Sequence, residues 1–214
     1  MKFYQEITLI RNADIDQYFL LSKTFHQIHF GLVEIQNKQK QVPIGLSFPE
    51  YKMGENFGAL GSKLRLFAPD EATLTRFDAN KWLARLSDYV HCTGIRPTPE
   101  AVKGYAIYQR EQPKTSKERL ARRYAKRHNM DYEAALNSKV ELSVKPEAGA
   151  ECRKTLMSYS QMPHQTIATP FIRLKSLSSG NTFCLWIKKS EVESSNDGLF
   201  TTYGLSTTAT VPEF

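Results

Sequence analysis

The sequence predicts an α+β fold in two domains, on three observations. Residues 3–95 pass through strand and helix patterns in the order β-α-β-β-α-β, Pro97 and Pro99 then interrupt the chain, and a dense cationic helix followed by an alternating hairpin occupies the remainder. That opening order is the ferredoxin-like, RRM-like one, which assigns residues 1–97 to a first domain and residues 98–214 to a second, α+β domain carrying the cationic helix. The same order serves many unrelated functions, so the fold class alone decides little about activity.

Each element has a local reason. Residues 3–10 alternate in part and are rich in strand formers; Asp14 is placed to cap, and Asp16 to charge the first turn of, a helix running to about residue 36. PIGLSF (43–48) and KLRLF (63–67) are short strands joined by a glycine-containing connection. Pro69 and Asp70 open a second helix through Trp82, Leu83 and Leu86, and residues 90–95 form the fourth strand. Beyond the prolines, residues 105–109 form a strand, residues 116–128 the cationic helix and residues 132–136 a short acidic one. Residues 137–162 show no clear period and are expected to be a long loop or partly disordered, mixing charges with Pro, Gly and Ser around few apolar anchors. Residues 171–175 and 182–187 alternate around Ser178, Ser179, Gly180 and Asn181, whose types suit a hairpin turn, and FTTYGL (200–205) is strand-like.

Charge points to the partner. The chain carries 29 Lys+Arg against 22 Asp+Glu, a formal +7. Residues 114–128, KTSKERLARRYAKRH, hold seven of those cations against one acid, Glu118, so the excess is local. At about 100° per residue, Arg119, Arg122, Arg123, Lys126 and Arg127 share one helix face, while Leu120, Ala121, Tyr124 and Ala125 take the other. Such a helix has a dry side to dock and a charged side to present to a polyanion. Its arginine content favours phosphate and guanine edges, which the planar guanidinium meets bidentately.

Composition excludes several classes. At 41% hydrophobic the chain can build a core, yet no apolar run approaches twenty residues, so no membrane span is expected. Cys92, Cys152 and Cys184 are widely spaced with no C-x-x-C pair, which argues for a reducing, cytoplasmic setting and against a disulfide framework or a zinc site. The start, MKFYQEITLI, reads as a strand rather than a signal peptide. Phosphate-binding glycine loops, H-E-x-x-H and any D-x-D cluster suited to magnesium are absent from the sequence, so neither a metal nor an organic cofactor is expected.

Catalysis on RNA without a metal uses the substrate's own 2′-hydroxyl, and needs a histidine titrating near neutrality, a group to hold the ribose and a cation for the phosphorane. His29 stands out because it falls within the apolar arc of the first helix with Ile15, Tyr18, Phe25, Leu32 and Val33; taken alone, that placement favours a buried histidine satisfied by a carbonyl over a catalytic one. His26, on a flank of the same face, and His128, at the end of the cationic helix, are weaker candidates. Ser176 and Ser178 alternate beside the hairpin turn and can donate to a ribose or phosphate, although turn serines are commonplace. Phe183 suits base stacking or the core, and Tyr203 is equally open.

Together these pieces resemble one family, the CRISPR-associated endoribonucleases of subtype I-F, which cut precursor CRISPR RNA at its repeat hairpins. The resemblance runs through SKTFHQIHFGL, PIGLSFP, Arg110 to Gln112, ERLARRYAKRH, FIRLKSLSSGNTFCLWI, TYGL and the terminal VPEF, in that order. It implies that His29 is the general base on the 2′-hydroxyl, that Ser176 holds the attacking ribose with Ser178 assisting, and that Tyr203 orients the histidine. It further implies that Arg110 and Gln112 read base edges at the foot of the RNA stem, that Arg119, Arg122, Arg123, Lys126 and Arg127 track the stem, and that Phe183 stacks near the cut. Lys126 stands where the family pattern would have arginine, which keeps the charge and loses the bidentate fork. The implied partners are the repeat stem-loop, as precursor and as mature guide RNA, and other subunits of a guide-RNA complex; the alternative is a non-catalytic subunit that only binds the hairpin.

Overall fold

The structure, a computed structural model, describes all residues except 56, 113–116, 145–152, 163–167 and 177–179, with backbone alone at 142–144 and 153–155. In chain order its elements are β1 (Phe3–Leu9), α1 (Gln17–Glu34), β2 (Gln41–Val42), β3 (Gly45–Ser47), β4 (Lys52–Met53), β5 (Gly58–Ala59), β6 (Lys63–Ala68), α2 (Glu71–Phe77), α3 (Ala79–Leu83), β7 (Val90–Cys92), β8 (Arg96–Pro97) and β9 (Gly104–Glu111). There follow α4 (Lys117–His128), α5 (Tyr132–Asn137), β10 (Lys139–Val144), β11 (Arg153–Ser158), β12 (Phe171–Lys175), β13 (Thr182–Val192), β14 (Phe200–Thr201) and β15 (Val211–Glu213). The fold is mixed α and β, as the sequence predicts.

Two compact units result, one made of Met1–Gln112 and Ala168–Phe214, the other of Pro113–Ile167. This division runs differently from the expectation of 1–97 and 98–214. In the first unit, β3, β6, β1 and β7 form one antiparallel sheet in that order, and β12, β13, β9 and β15 form a second. Ile7, Leu46 and Leu66 of the first sheet and Tyr108, Leu185, Ile187 and Val211 of the second belong to one buried cluster. Pro97 and Pro99 therefore punctuate a connection, because the apolar faces on both sides of them are buried together.

Helix α1 ties the two sheets. Its N-cap is Asp16, whose carboxylate accepts from the Phe19 N–H at 2.9 Å, so the helix starts later than a cap at Asp14 would place it. Leu20, Leu21, Thr24, Phe25, Ile28, Gly31 and Leu32 are its buried face, which packs on β1 and β12. Tyr18, expected on that face, is 60% exposed. The predicted second helix is broken at Asp78, which adopts φ 49°, ends α2 and caps α3 by accepting from Lys81 N–H. Between β3 and β6 the glycine-containing connection folds into a small hairpin, β4–β5.

The carboxyl-terminal residues are built into this unit. Glu213 accepts from the Tyr108 hydroxyl at 3.0 Å and from Lys189 Nζ at 2.8 Å, while Arg65, held by Glu6 at 2.7 Å, lies 4.1 Å from the Phe214 ring centroid. The tail thus closes β15 against β9.

The second unit holds the main departure from expectation. Residues 137–162, expected as a loop, contain the antiparallel pair β10–β11, registered from Lys139↔Ser158 to Val144↔Arg153, followed by a 3₁₀ turn at Tyr159–Gln161. Val140, Leu142 and Val144 alternate with polar residues as a strand does, but the second strand, RKTLMS, does not alternate, so the pair is complete only in the structure. Tyr159 buries its ring edge-on to Tyr124 of α4, 5.8 Å between centroids.

Candidate active site and candidate nucleic-acid interface

The site is assembled where α1, the end of β12 and the turn after β14 meet in the first unit. A cleft of about 320 Å³ there is lined by His29, Ser176, Phe183 and Tyr203, with His26 beside them. Four of the residues nominated from the sequence, far apart along the chain, thus come together. Ser22 of α1 donates to the Arg173 carbonyl of β12, a direct tie between the helix that carries His29 and the strand that leads to Ser176.

His29 is held on two sides. Its Nδ1 lies 2.7 Å from the Thr202 carbonyl oxygen. A carbonyl can only accept, so Nδ1 carries the proton and the neutral ring presents its Nε2 lone pair. The Tyr203 ring stacks on the imidazole, 4.2 Å between centroids at 13°, and lies nearly parallel to buried Phe25 at 6.4 Å. Burial depresses the His29 pKa below its ordinary 6.5, the Thr202 carbonyl pulls upward, and the charge of His26 adds a further downward push. The imidazole is therefore kept neutral, in a fixed tautomer, with an accepting nitrogen, which is the condition of a general base at neutral pH. The two readings of His29 left open by its position turn out to be compatible: a carbonyl satisfies one nitrogen and leaves the other available.

Ser176 closes the base of the hairpin, donating its N–H to the Asn181 carbonyl at 2.8 Å and accepting from Gly180 N–H at 2.9 Å. Gly180 adopts φ 68°, as the turn composition predicts. Ser178 lies outside the described residues. His26 packs on Phe30 at 4.2 Å, and among the described residues its buried Nε2 has no hydrogen-bond partner. Exposed Arg110, near the end of β9, has its guanidinium 5.8 Å from the Phe183 ring, and Gln112 follows the strand, exposed. Arg110 is thus positioned beside an aromatic that lines the cleft.

Gly204 makes the Thr202–Tyr203 turn possible. It adopts φ 68°, donates to the Thr201 carbonyl and accepts from Leu46 N–H, both at 2.8 Å, and a Cβ there would lie 1.8 Å from Leu46 Cδ1. Gly204→Ala is expected to destabilise the protein by about 2–4 kcal/mol, combining left-handed strain with overpacking against β3. Chemical denaturation measures it, and an unchanged midpoint would contradict this account of the turn.

In the second unit, α4 has the two faces its sequence implies. Arg119, Arg122, Arg123, Lys126 and Arg127 are exposed, whereas Ala121 and Ala125 are buried. The Arg122 guanidinium lies 5.7 Å from the Tyr132 ring, Tyr124 packs on His128 at 4.1 Å, and Asn129 ends the helix at φ 49°. Among the described residues no three His, Cys, Asp or Glu side chains are grouped to share an ion, and no helix is long and apolar enough to cross a membrane.

The family model described as CRISPR-associated protein (Cas_Csy4) matches residues 4–214. The chain belongs to this family. A protein of Escherichia coli (strain UTI89 / UPEC) named CRISPR-associated endonuclease Cas6/Csy4 is 30% identical over 215 residues, spanning 100% of both chains. A protein of the same name from Pseudomonas aeruginosa (strain UCBPP-PA14) is 30% identical over 219 residues, again with full coverage of both. A solved structure titled "An RAMP protein binding different RNA substrates" covers 99% of each chain at 11% identity with a TM-score of 0.33, a likeness too slight to bear on function. The resemblance carried by the motifs is therefore that of a Csy4-family chain along its whole length.

What the sequence did not expose in this Csy4-family chain is the Thr202 contribution. The atom that sets the His29 tautomer is a backbone oxygen, which every residue type possesses, so no side-chain pattern announces it.

Proposed function

We propose that this chain is an endoribonuclease that cleaves precursor CRISPR RNA on the 3′ side of the repeat stem-loop without a metal and then stays on the guide-RNA hairpin. The observation that carries the proposal is the His29 geometry: Nδ1 bound to the Thr202 carbonyl, the ring stacked on Tyr203, and Nε2 left as acceptor in a cleft shared with Ser176. Nε2 takes the 2′-hydroxyl proton, Ser176 holds that ribose with Ser178 assisting, and Tyr203 keeps the imidazole in its plane. The 2′-oxygen bonds to the adjacent phosphorus as the bond to the 5′-oxygen breaks, giving a 2′,3′-cyclic phosphate and a 5′-hydroxyl. Phe183 stacks near the cut and Arg110 and Gln112 read base edges at the foot of the stem.

Binding is assigned to α4. An A-form major groove is normally too deep and narrow for side chains to read. A short hairpin is open at its loop and its base, so exposed Arg119, Arg122, Arg123, Lys126 and Arg127 follow phosphates there, and recognition is chiefly of shape and charge. We read the β3-β6-β1-β7 sheet with α1 and α2 as the ferredoxin-like domain that presents His29.

The direct trial incubates the protein with a repeat hairpin in excess EDTA and identifies the ends of the product. Cleavage at the wild-type rate with a cyclic phosphate terminus is expected, and a hairpin carrying one 2′-deoxy at the cut is expected to bind and survive. Cleavage lost on chelation would overturn the metal-independent mechanism; tight binding with no product under any condition would leave a hairpin-binding subunit instead.

A further inference from the structure

The proposed cleavage takes its phosphate through a pentacoordinate state with two negative charges, and a cation near the non-bridging oxygens speeds such a step. The helix of arginines belongs to the other unit, so the cation is sought within the cleft itself. Among the described residues that line it, two are cationic, Lys40 and Lys175, and none is a carboxylate.

Lys40 is the better placed, for three reasons. It adopts φ 59°, and the other non-glycine residues with positive φ among those described are Asp78 and Asn129, types that tolerate the left-handed region where lysine gains nothing. The turn that imposes this conformation is closed by Asn37, whose Oδ1 accepts from Gln39 N–H at 3.0 Å and Gln41 N–H at 2.9 Å, while Lys40 N–H donates to the Asn37 carbonyl at 3.0 Å. Finally, β2 pairs with β14 so that Gln41 faces Thr201. One step further along that antiparallel register, Lys40 comes opposite Thr202, whose carbonyl orients His29. Among the described residues Lys40 forms no ion pair that would occupy its charge.

We propose that Lys40 is a further catalytic residue, its ammonium binding the non-bridging oxygens of the scissile phosphate as His29 Nε2 takes the 2′-hydroxyl proton. The O2′–P bond forms, the P–O5′ bond breaks, and the departing 5′-oxygen takes a proton from water. The costly backbone of the turn is thereby explained as the means of pointing a lysine into the cleft. This inference rests on the RNA cleavage proposed above.

The test compares wild type, Lys40→Ala, Lys40→Arg and Lys40→Gly in single-turnover cleavage of a repeat hairpin at fixed salt, with affinity measured on the 2′-deoxy hairpin. Lys40→Ala is expected to slow cleavage at least about ten-fold with affinity changed less than about three-fold, and Lys40→Arg to recover most of the rate. Lys40→Gly is the discriminating variant. It relieves the left-handed strain, so its melting temperature stays at or above that of wild type while its rate falls as far as that of Lys40→Ala. A Lys40→Ala rate within two-fold of wild type, a loss of rate matched by loss of affinity, or a melting temperature lowered by glycine would each overturn the assignment. Failure of the wild type to cut would overturn the cleavage reading and this inference with it, whereas a cutting wild type with an unaffected Lys40→Ala sinks this inference alone.

Discussion

Replacing His29 with alanine is expected to lower the single-turnover cleavage rate by about 10²–10⁴-fold while leaving hairpin affinity within about three-fold of wild type. The separation follows from where the two functions sit. His29 is half-buried under Tyr203 with a single accepting nitrogen in the cleft, so it offers the RNA a proton acceptor and little contact area. Equal loss of binding, or a collapse of the melting temperature, would instead make His29 a structural residue. The pH profile gives an independent reading. Because burial holds the His29 pKa below 6.5, the base form is already dominant at neutral pH. The rate should rise with pH through an inflection below 6.5 and then level off, and an inflection above 6.5 would contradict the assignment. Stability carries the same sign. The unfolded chain protonates this histidine at 6.5 and the folded one only at lower pH, so the contribution of His29 is fully present above 6.5 and is lost as pH falls through the folded value.

The second large effect concerns α4. Changing Arg119, Arg122, Arg123, Lys126 and Arg127 together to glutamine is expected to weaken hairpin binding by about a thousand-fold at physiological salt. It should also make the plot of log affinity against log salt shallower by roughly 3.5 to 4.5, since each phosphate contact releases most of one counterion. Glutamine keeps the helix, because its propensity matches that of arginine and the docking side, with Ala121 and Ala125 buried, is untouched. Circular dichroism should therefore be unchanged. The bound complex, formed at protein concentrations high enough to saturate the RNA, should still cut at close to the wild-type rate, because the proposed general base, His29, lies on α1. A variant with unaltered salt dependence would show that these side chains do not meet phosphate.

The legible part of this protein is the part written in short periods. The two faces of α4 and the hairpin around Gly180 follow from neighbours one to four positions apart, and the structure contains them, whereas residues 3–95 keep an alternation of strand and helix with additional short strands and a second helix broken at Asp78. The misreadings arise where a partner is distant. The β10–β11 pair is hidden because its second strand, RKTLMS, does not alternate and so declares itself only once its partner is in place, and the strand-like FTTYGL is a strand only at Phe200–Thr201, where β2 pairs with it. The division of the chain falls outside the prolines because burial of β9, β12, β13 and β15 in one core outweighs local punctuation.

For the candidate site the same distinction applies. His29, Ser176, Phe183 and Tyr203 could be nominated from residue types and motif order, and the family follows from the length of chain those motifs span. That they share one cleft could not be read from the chain, nor could the Thr202 carbonyl that sets the tautomer, the Phe25–Tyr203–His29 stack that holds the ring, or the turn that brings Lys40 alongside. By itself, then, the sequence determined the chemistry available, the cationic helix and the family. Tertiary structure alone decided which histidine nitrogen is free and what surrounds it, because those depend on backbone carbonyls and ring planes contributed by β14, β12 and α1, segments whose proximity is set by burying a shared core rather than by any local pattern.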